Sequence, residues 1–245
     1  MRMFPRMVSI AALLLVSTAL SAQTPAGLPG HWEGTILAPG MEVRVDIDVT
    51  KNSNGEFAGT FGQPARDVMG LPLTNFAVDG HSVTFQVKGG APGQRAFKGE
   101  ISADGKSMSG DFASQFGTLP FLLTRTGDAR IDPPSRIAPI TKALEGSWEG
   151  TLDVDGGLQL VLTLANQADG TACGAILNRN EGLEIPISGI AQNASTLTLD
   201  MKGVRSTFSG VLNAEGTEVV GTFTQGPTSL PLTFRRLAAT ESKQK

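Results

Sequence analysis

Met41-Glu42-Val43-Arg44-Val45-Asp46-Ile47-Asp48-Val49-Thr50 sets an apolar side chain at every second position and a charged one between. Alternate side chains of a strand point to opposite faces, so this segment has one dry face and one wet face. Leu158, Leu160, Leu162 and Leu164 repeat the alternation later in the chain. Shorter runs follow it at Val83, Phe85 and Val87 and at Leu197, Leu199 and Met201. Asn54-Gly55, Asp79-Gly80, Asp104-Gly105, Asp155-Gly156, Asp169-Gly170 and Glu215-Gly216 separate such runs, most of them dipeptides that tight hairpins favour. No helical periodicity intervenes. With 30 Gly and 14 Pro in 245 residues, 40% hydrophobic and 18% charged, the composition is that of a folded all-β chain.

The runs fall into two copies. Gly30-His31-Trp32-Glu33-Gly34-Thr35 returns as Gly146-Ser147-Trp148-Glu149-Gly150-Thr151. Leu71-Pro72-Leu73 answers Ile185-Pro186-Ile187, and Gly110-Asp111-Phe112 answers Gly221-Thr222-Phe223. Leu119-Pro120-Phe121 to Arg125 answers Leu230-Pro231-Leu232 to Arg236. Matches kept in order across a whole module mark an internal duplication. The expected organisation is a leader over residues 1–22, a first barrel over 28–126, a Pro-rich linker over 127–143, a second barrel over 144–237 and a polar tail over 238–245.

Eight antiparallel runs joined in order lose their edges by closing, so each copy is expected to be an eight-stranded up-and-down barrel. In such a barrel the start of the first strand and the end of the last share one rim. Trp32 with Arg125, and Trp148 with Arg236, then meet inside that rim. A guanidinium over an indole is worth roughly 0.5–2 kcal/mol, and the pair is read as a structural plug.

Several chemistries are poorly provided for. One Cys and two His leave no Cys/His zinc cluster and no internal disulfide. Cys173, among small and apolar residues, is read as a buried hydrophobe. His31 and His81 are read as solvated surface residues, and Asp46 and Asp48 as the wet face of their strand. A formal charge of −3 offers nucleic acid no footprint. Arg2 and Arg6 before the apolar run Val8–Leu20, closed by Ser21-Ala22, have the form of a secretory signal peptide. Its removal takes the charge to −5 and leaves no membrane span, so the mature protein is expected in the periplasm or outside the cell. No Cys near the cleavage region provides for lipid attachment there.

The Gly-x-Trp of the first strand with the Arg of the last resembles the lipocalin-type (calycin) barrel signature. More closely, both copies resemble a small bacterial β-barrel module found ahead of secreted α/β-hydrolase domains. The shared pattern is Gly-x-Trp-x-Gly-Thr, Ile-Pro-Ile or Leu-Pro-Leu, Phe-x-Gly, Gly-Thr-Phe-x-Gln-Gly and Leu-Pro-Leu-x-Phe-x-Arg. The second copy keeps Gly221-Thr222-Phe223-Thr224-Gln225-Gly226, whereas the first departs there with Gly110-Asp111-Phe112-Ala113-Ser114-Gln115. In those hydrolase architectures the catalytic residues lie in the domain beyond the barrel. No Gly-x-Ser-x-Gly nucleophile elbow occurs in this sequence, so no catalysis and no cofactor are expected of the two modules.

The expected function is binding of a small apolar or amphipathic ligand inside each barrel. Phe57, Phe61, Phe85, Phe97, Phe112 and Phe121 would form the wall in the first copy. Polar residues at the rim opposite the Trp would form the mouth: Gln63, Arg66, Asp67, Gln94, Arg95 and Gln115, then Asn178, Arg179, Asn180, Glu181 and Gln225. Inward Gly34, Gly59, Gly99 and Gly110, answered by Gly150, Gly174, Gly210 and Gly221, either let the barrels coil tightly or leave room for the ligand. The alternatives are an accessory protein with filled barrels that docks an exported partner such as a hydrolase, or a hydrolase whose site has no recognisable motif.

Overall fold

The computed structural model describes residues 27–89, 93–115, 117–131, 136–154 and 156–238. The leader, the Pro133-Pro134 pair and all of the tail but Ala238 lie outside the described residues. The first copy contains β1 (Gly30–Ala38), β2 (Met41–Lys51), β3 (Phe57–Gln63), β4 (Val68–Asp79), β5 (Ser82–Val87), β6 (Ala96–Ile101), β7 (Ser107–Ser114) and β8 (Gly117–Gly127). These pair antiparallel in chain order, and β1 closes on β8 from His31 opposite Gly127 to Ile36 opposite Phe121. The result is a closed eight-stranded barrel. Its inward residues follow the alternation: Val45, Ile47 and Val49 are buried, whereas Glu42 and Arg44 are exposed.

The second copy contains β9 (Gly146–Leu152), β10 (Leu158–Asn166), β11 (Ala172–Asn178), β12 (Leu183–Pro186), β13 (Gly189–Asn193), β14 (Thr196–Met201), β15 (Ser206–Leu212), β16 (Glu218–Gln225) and β17 (Thr228–Arg236). It has nine strands rather than eight, in the order β12-β11-β10-β9-β17-β16-β15-β14-β13. β12 and β13 occupy the place of β4, broken in two after Pro186, which has no N–H to give to a ladder. At the break the Ile187 N–H donates to Gly174 O (2.9 Å) and the Ser188 N–H to Asp200 O (2.7 Å). The chain itself therefore crosses the gap between the two edges of this curled sheet.

The duplication shows in the register. Trp32 lies opposite Ile47 and Trp148 opposite Leu162, the same step of the same strand pair. All eight inward glycines sit where strands crowd. A Cβ on Gly99 would lie 2.5 Å from Ser109 O and one on Gly150 2.7 Å from Thr233 O; the other six would be under 3.0 Å from a neighbour. These glycines let neighbouring strands approach closely where a Cβ would clash.

The segment before the second barrel is packed against it. Ile137, Ile140 and Leu144 are buried in the second core. Asn166 fixes this strap by accepting from the Ile140 N–H (2.9 Å) and donating to Ile140 O (2.8 Å) and Glu145 Oε1 (2.6 Å). No described helix is long and apolar enough to cross a membrane.

Candidate functional site

Each barrel is stoppered at one end. The Arg125 guanidinium lies 5.8 Å from the Trp32 ring centroid, and that of Arg236 lies 4.0 Å from Trp148. Both indoles are fully buried and donate to a carbonyl four residues back, Trp32 to Leu28 O (2.9 Å) and Trp148 to Leu144 O (3.1 Å). Arg236 also donates to Gly216 O (2.9 Å), Glu145 O (2.7 Å) and Ala143 O, while Arg125 donates to Pro29 O.

The two lumens differ. Eight of the twelve phenylalanines belong to the first copy and three to the second. In the first barrel Phe97 sits 5.0 Å from Phe85, 4.6 Å from Phe112, 5.2 Å from Phe121 and 6.1 Å from Phe61, ring centroid to ring centroid. Phe57 joins the stack through Phe76 at 5.8 Å. These rings pack together in the lumen, and Phe85, Phe97 and Phe121 are buried in the first core. In the second barrel Phe208 and Phe234 pair at 5.1 Å near the base, and aliphatic side chains line the space above them.

That space is a cavity of about 430 Å³. Its wall comes from almost every strand of the second barrel, with Leu160, Ile176, Ile185, Met201, Phe223 and Leu230 among the apolar residues. Its roof is the mouth of the first barrel, where Phe61, Gln63, Arg66, Val68, Leu71 and Arg95 face down. Ion pairs bridge the two mouths. Lys88 pairs with Glu184 (2.6 Å), Arg95 with Glu181 (3.4 Å) and Asp67 with Arg205 (3.0 Å). Leu183 crosses into the first core, and Val68 packs against both cores.

The cavity thus gathers Phe61, Gln63, Arg66, Arg95, Asn178, Glu181 and Gln225 of the residues singled out above. Gln115 is exposed and does not line it. Arg179 lines a separate open groove of about 400 Å³ outside the second barrel, with Glu149, Gln159 and Arg235. That groove lies where β9 and β17 pair only at Arg235–Glu149 and Arg236–Trp148. The aliphatic lining was not singled out, although the uneven division of phenylalanine between the copies was its signal.

Two surface expectations are corrected. His31 is buried and not solvated, its Nδ1 2.8 Å from Asp48 and its Nε2 3.0 Å from Glu33. Asp48 is buried as well and Asp46 half-buried, so this stretch of the outer face is not wet. The cause is the chain leaving the first barrel, whose Arg130 N–H donates to Asp48 Oδ1 (2.6 Å). Burial alone would lower the His31 pKa, but the hydrogen bonds to Asp48 and Glu33 prevail and raise it. Burial first, then the neighbouring Asp48 charge, raise that of Asp46. With both ring nitrogens engaged by carboxylates, His31 acts as a clasp. Cys173 is half-buried rather than buried, because its position in β11 turns it away from the lumen that Ala172 and Ile176 face.

No family model and no curated protein matches the chain. Among solved structures, a Bacteroides fragilis protein provisionally described as an outer membrane protein is 12% identical with a TM-score of 0.27, over 87% of this chain and 96% of that one. A protein of unknown function from the DUF3598 family of Nostoc punctiforme is 11% identical with a TM-score of 0.21, over 86% of this chain and 96% of that one. At such scores these likenesses carry no argument, and the fold stands on its strand pairing. The chain is an all-β protein of two tandem barrel modules.

Proposed function

We propose that this is a non-catalytic, exported binding protein that holds a small apolar or amphipathic ligand between its two barrels. One observation carries the reading. The second barrel, stoppered at its Trp148 end, keeps an apolar lumen of about 430 Å³ beneath a roof supplied by the first barrel. A concave, mostly apolar space of some 300–1,000 Å³ with a few polar groups at its mouth is the usual form of a small-molecule site. The copies have divided the work: aromatic rings make the first a solid lid, and aliphatic side chains leave the second a cup.

The test is titration of the full chain with a neutral apolar fluorophore such as N-phenyl-1-naphthylamine. Saturable binding and a raised melting temperature are expected in the native protein; occupancy at a hundred times Kd would stabilise it by about 2.7 kcal/mol. Leu230→Trp, which fills the space, should fold and fail to bind. Equal binding by that variant, or no binding by the native chain, overturns the proposal.

A further inference from the structure

The roof of the cavity is unevenly charged. Two guanidiniums and one carboxylate line it: Arg66, Arg95 and Glu181. Arg95 is spent on Glu181, donating to its backbone oxygen (3.1 Å) and pairing with Oε2 (3.4 Å). Asp67, next to Arg66 in the chain, is turned to Arg205 across the interface. Among the described residues the exposed Arg66 has no carboxylate partner and no side-chain hydrogen bond, and Gln63 also lines the cavity.

Resting on the binding reading above, we infer that the ligand is a single-chain amphiphile with a carboxylate head. Its tail lies among Leu160, Ile176 and Met201, and its head meets Arg66 at the junction of the barrels. A planar guanidinium offers a carboxylate two parallel N–H donors, a match that no neutral head group completes. A cationic head would face two guanidiniums against one carboxylate already engaged.

The probes are three dodecyl compounds that differ only in the head: dodecanoate, dodecanol and dodecyltrimethylammonium, each below its micelle concentration. Each competes with N-phenyl-1-naphthylamine on the full chain. Dodecanoate is expected to displace the fluorophore at a concentration about three- to tenfold lower than dodecanol, the range of a partly exposed charge-assisted pair. Arg66→Gln should erase that advantage, bringing dodecanoate to the level of dodecanol, and Arg66→Glu should pass it to dodecyltrimethylammonium. Added salt should shrink the difference, because the pair is exposed. The assignment is overturned if dodecanoate and dodecanol compete equally, or if Arg66→Gln keeps the difference. In either case a fluorophore that still binds leaves the cavity reading intact. Failure of the fluorophore itself to bind brings down both.

Discussion

At the scale of single residues, equivalent positions of the duplicated module carry unequal loads. Arg236 stacks closely on Trp148 and serves three carbonyls, whereas Arg125 stands farther from Trp32 and serves one. Removing a charged donor from part-buried acceptors costs roughly 1.5–3 kcal/mol, with up to about 2 more for the ring. Arg236→Met is therefore expected to destabilise the protein by about 2–4 kcal/mol in urea and Arg125→Met by markedly less; equal losses would refute the asymmetry. His31 gives a pH signature. Its folded pKa is raised, so the folded state holds the proton more tightly than the unfolded chain. The stabilisation is full below about 6.5 and is lost as pH rises through the higher folded value. Asp46 is also raised, but its window starts near 3.8. The stability gap between native protein and His31→Gln should narrow on going from pH 6 to pH 9. A gap independent of pH would mean that the clasp binds its proton no better than the open chain.

Among the elements, the strap before the second barrel adds to a core that is otherwise built by strands. Ile140 is buried against the second core and its backbone is held by Asn166 on both sides. Ile140→Ala should cost about 2–4 kcal/mol, as for other large-to-small core changes, with the loss reported by Trp148 rather than Trp32. Preparing the variant with Trp32→Phe and with Trp148→Phe separates the two signals, and a transition moved equally in both would show that the strap belongs to neither barrel in particular. The strands themselves were legible. Met41 to Thr50 spells its two faces in its alternation, and the repeat of Gly-x-Trp-x-Gly-Thr spells the second barrel from the first. The break at Pro186 was less so, because Leu71-Pro72-Leu73 reads alike and yet stays within one strand. The difference rests on how neighbouring strands meet each half. For the site, Arg66, Glu181 and Gln225 were visible as loop residues on the rims, but the aromatic residues drew attention to the copy that is full. A phenylalanine at an inward position is the same letter whether it walls a cavity or plugs it. Local pattern also says nothing of which rims face each other, and the cavity exists only because they do.

For the molecule as a whole, the ion pairs that bridge the two barrels bear on how a ligand leaves. The cross-barrel ion pairs are partly exposed. Lys88 and Glu184 keep 47% and 29% of their side-chain surface, and exposed pairs contribute at most about 1 kcal/mol each. Equilibrium stability should hardly notice their loss. Opening is different, because one pair after another must separate before the roof lifts from the second barrel. Neither Lys88 nor Glu184 lines the cavity, so changing them leaves ligand contacts alone. With N-phenyl-1-naphthylamine bound, Glu184→Lys should speed dissociation several-fold by placing like charges together, with the melting temperature of the free protein nearly unchanged. Lys88→Glu should do the same, and the double exchange, which restores an opposite-charge pair, should return dissociation close to the native rate. Native dissociation should quicken between low salt and about 1 M, where the screening length falls to about 3 Å, and the variants should respond less. Dissociation that ignores both salt and charge reversal would show that the ligand leaves without the barrels parting. The route would then be the open seam between β9 and β17, where Leu160 borders both the groove and the cavity.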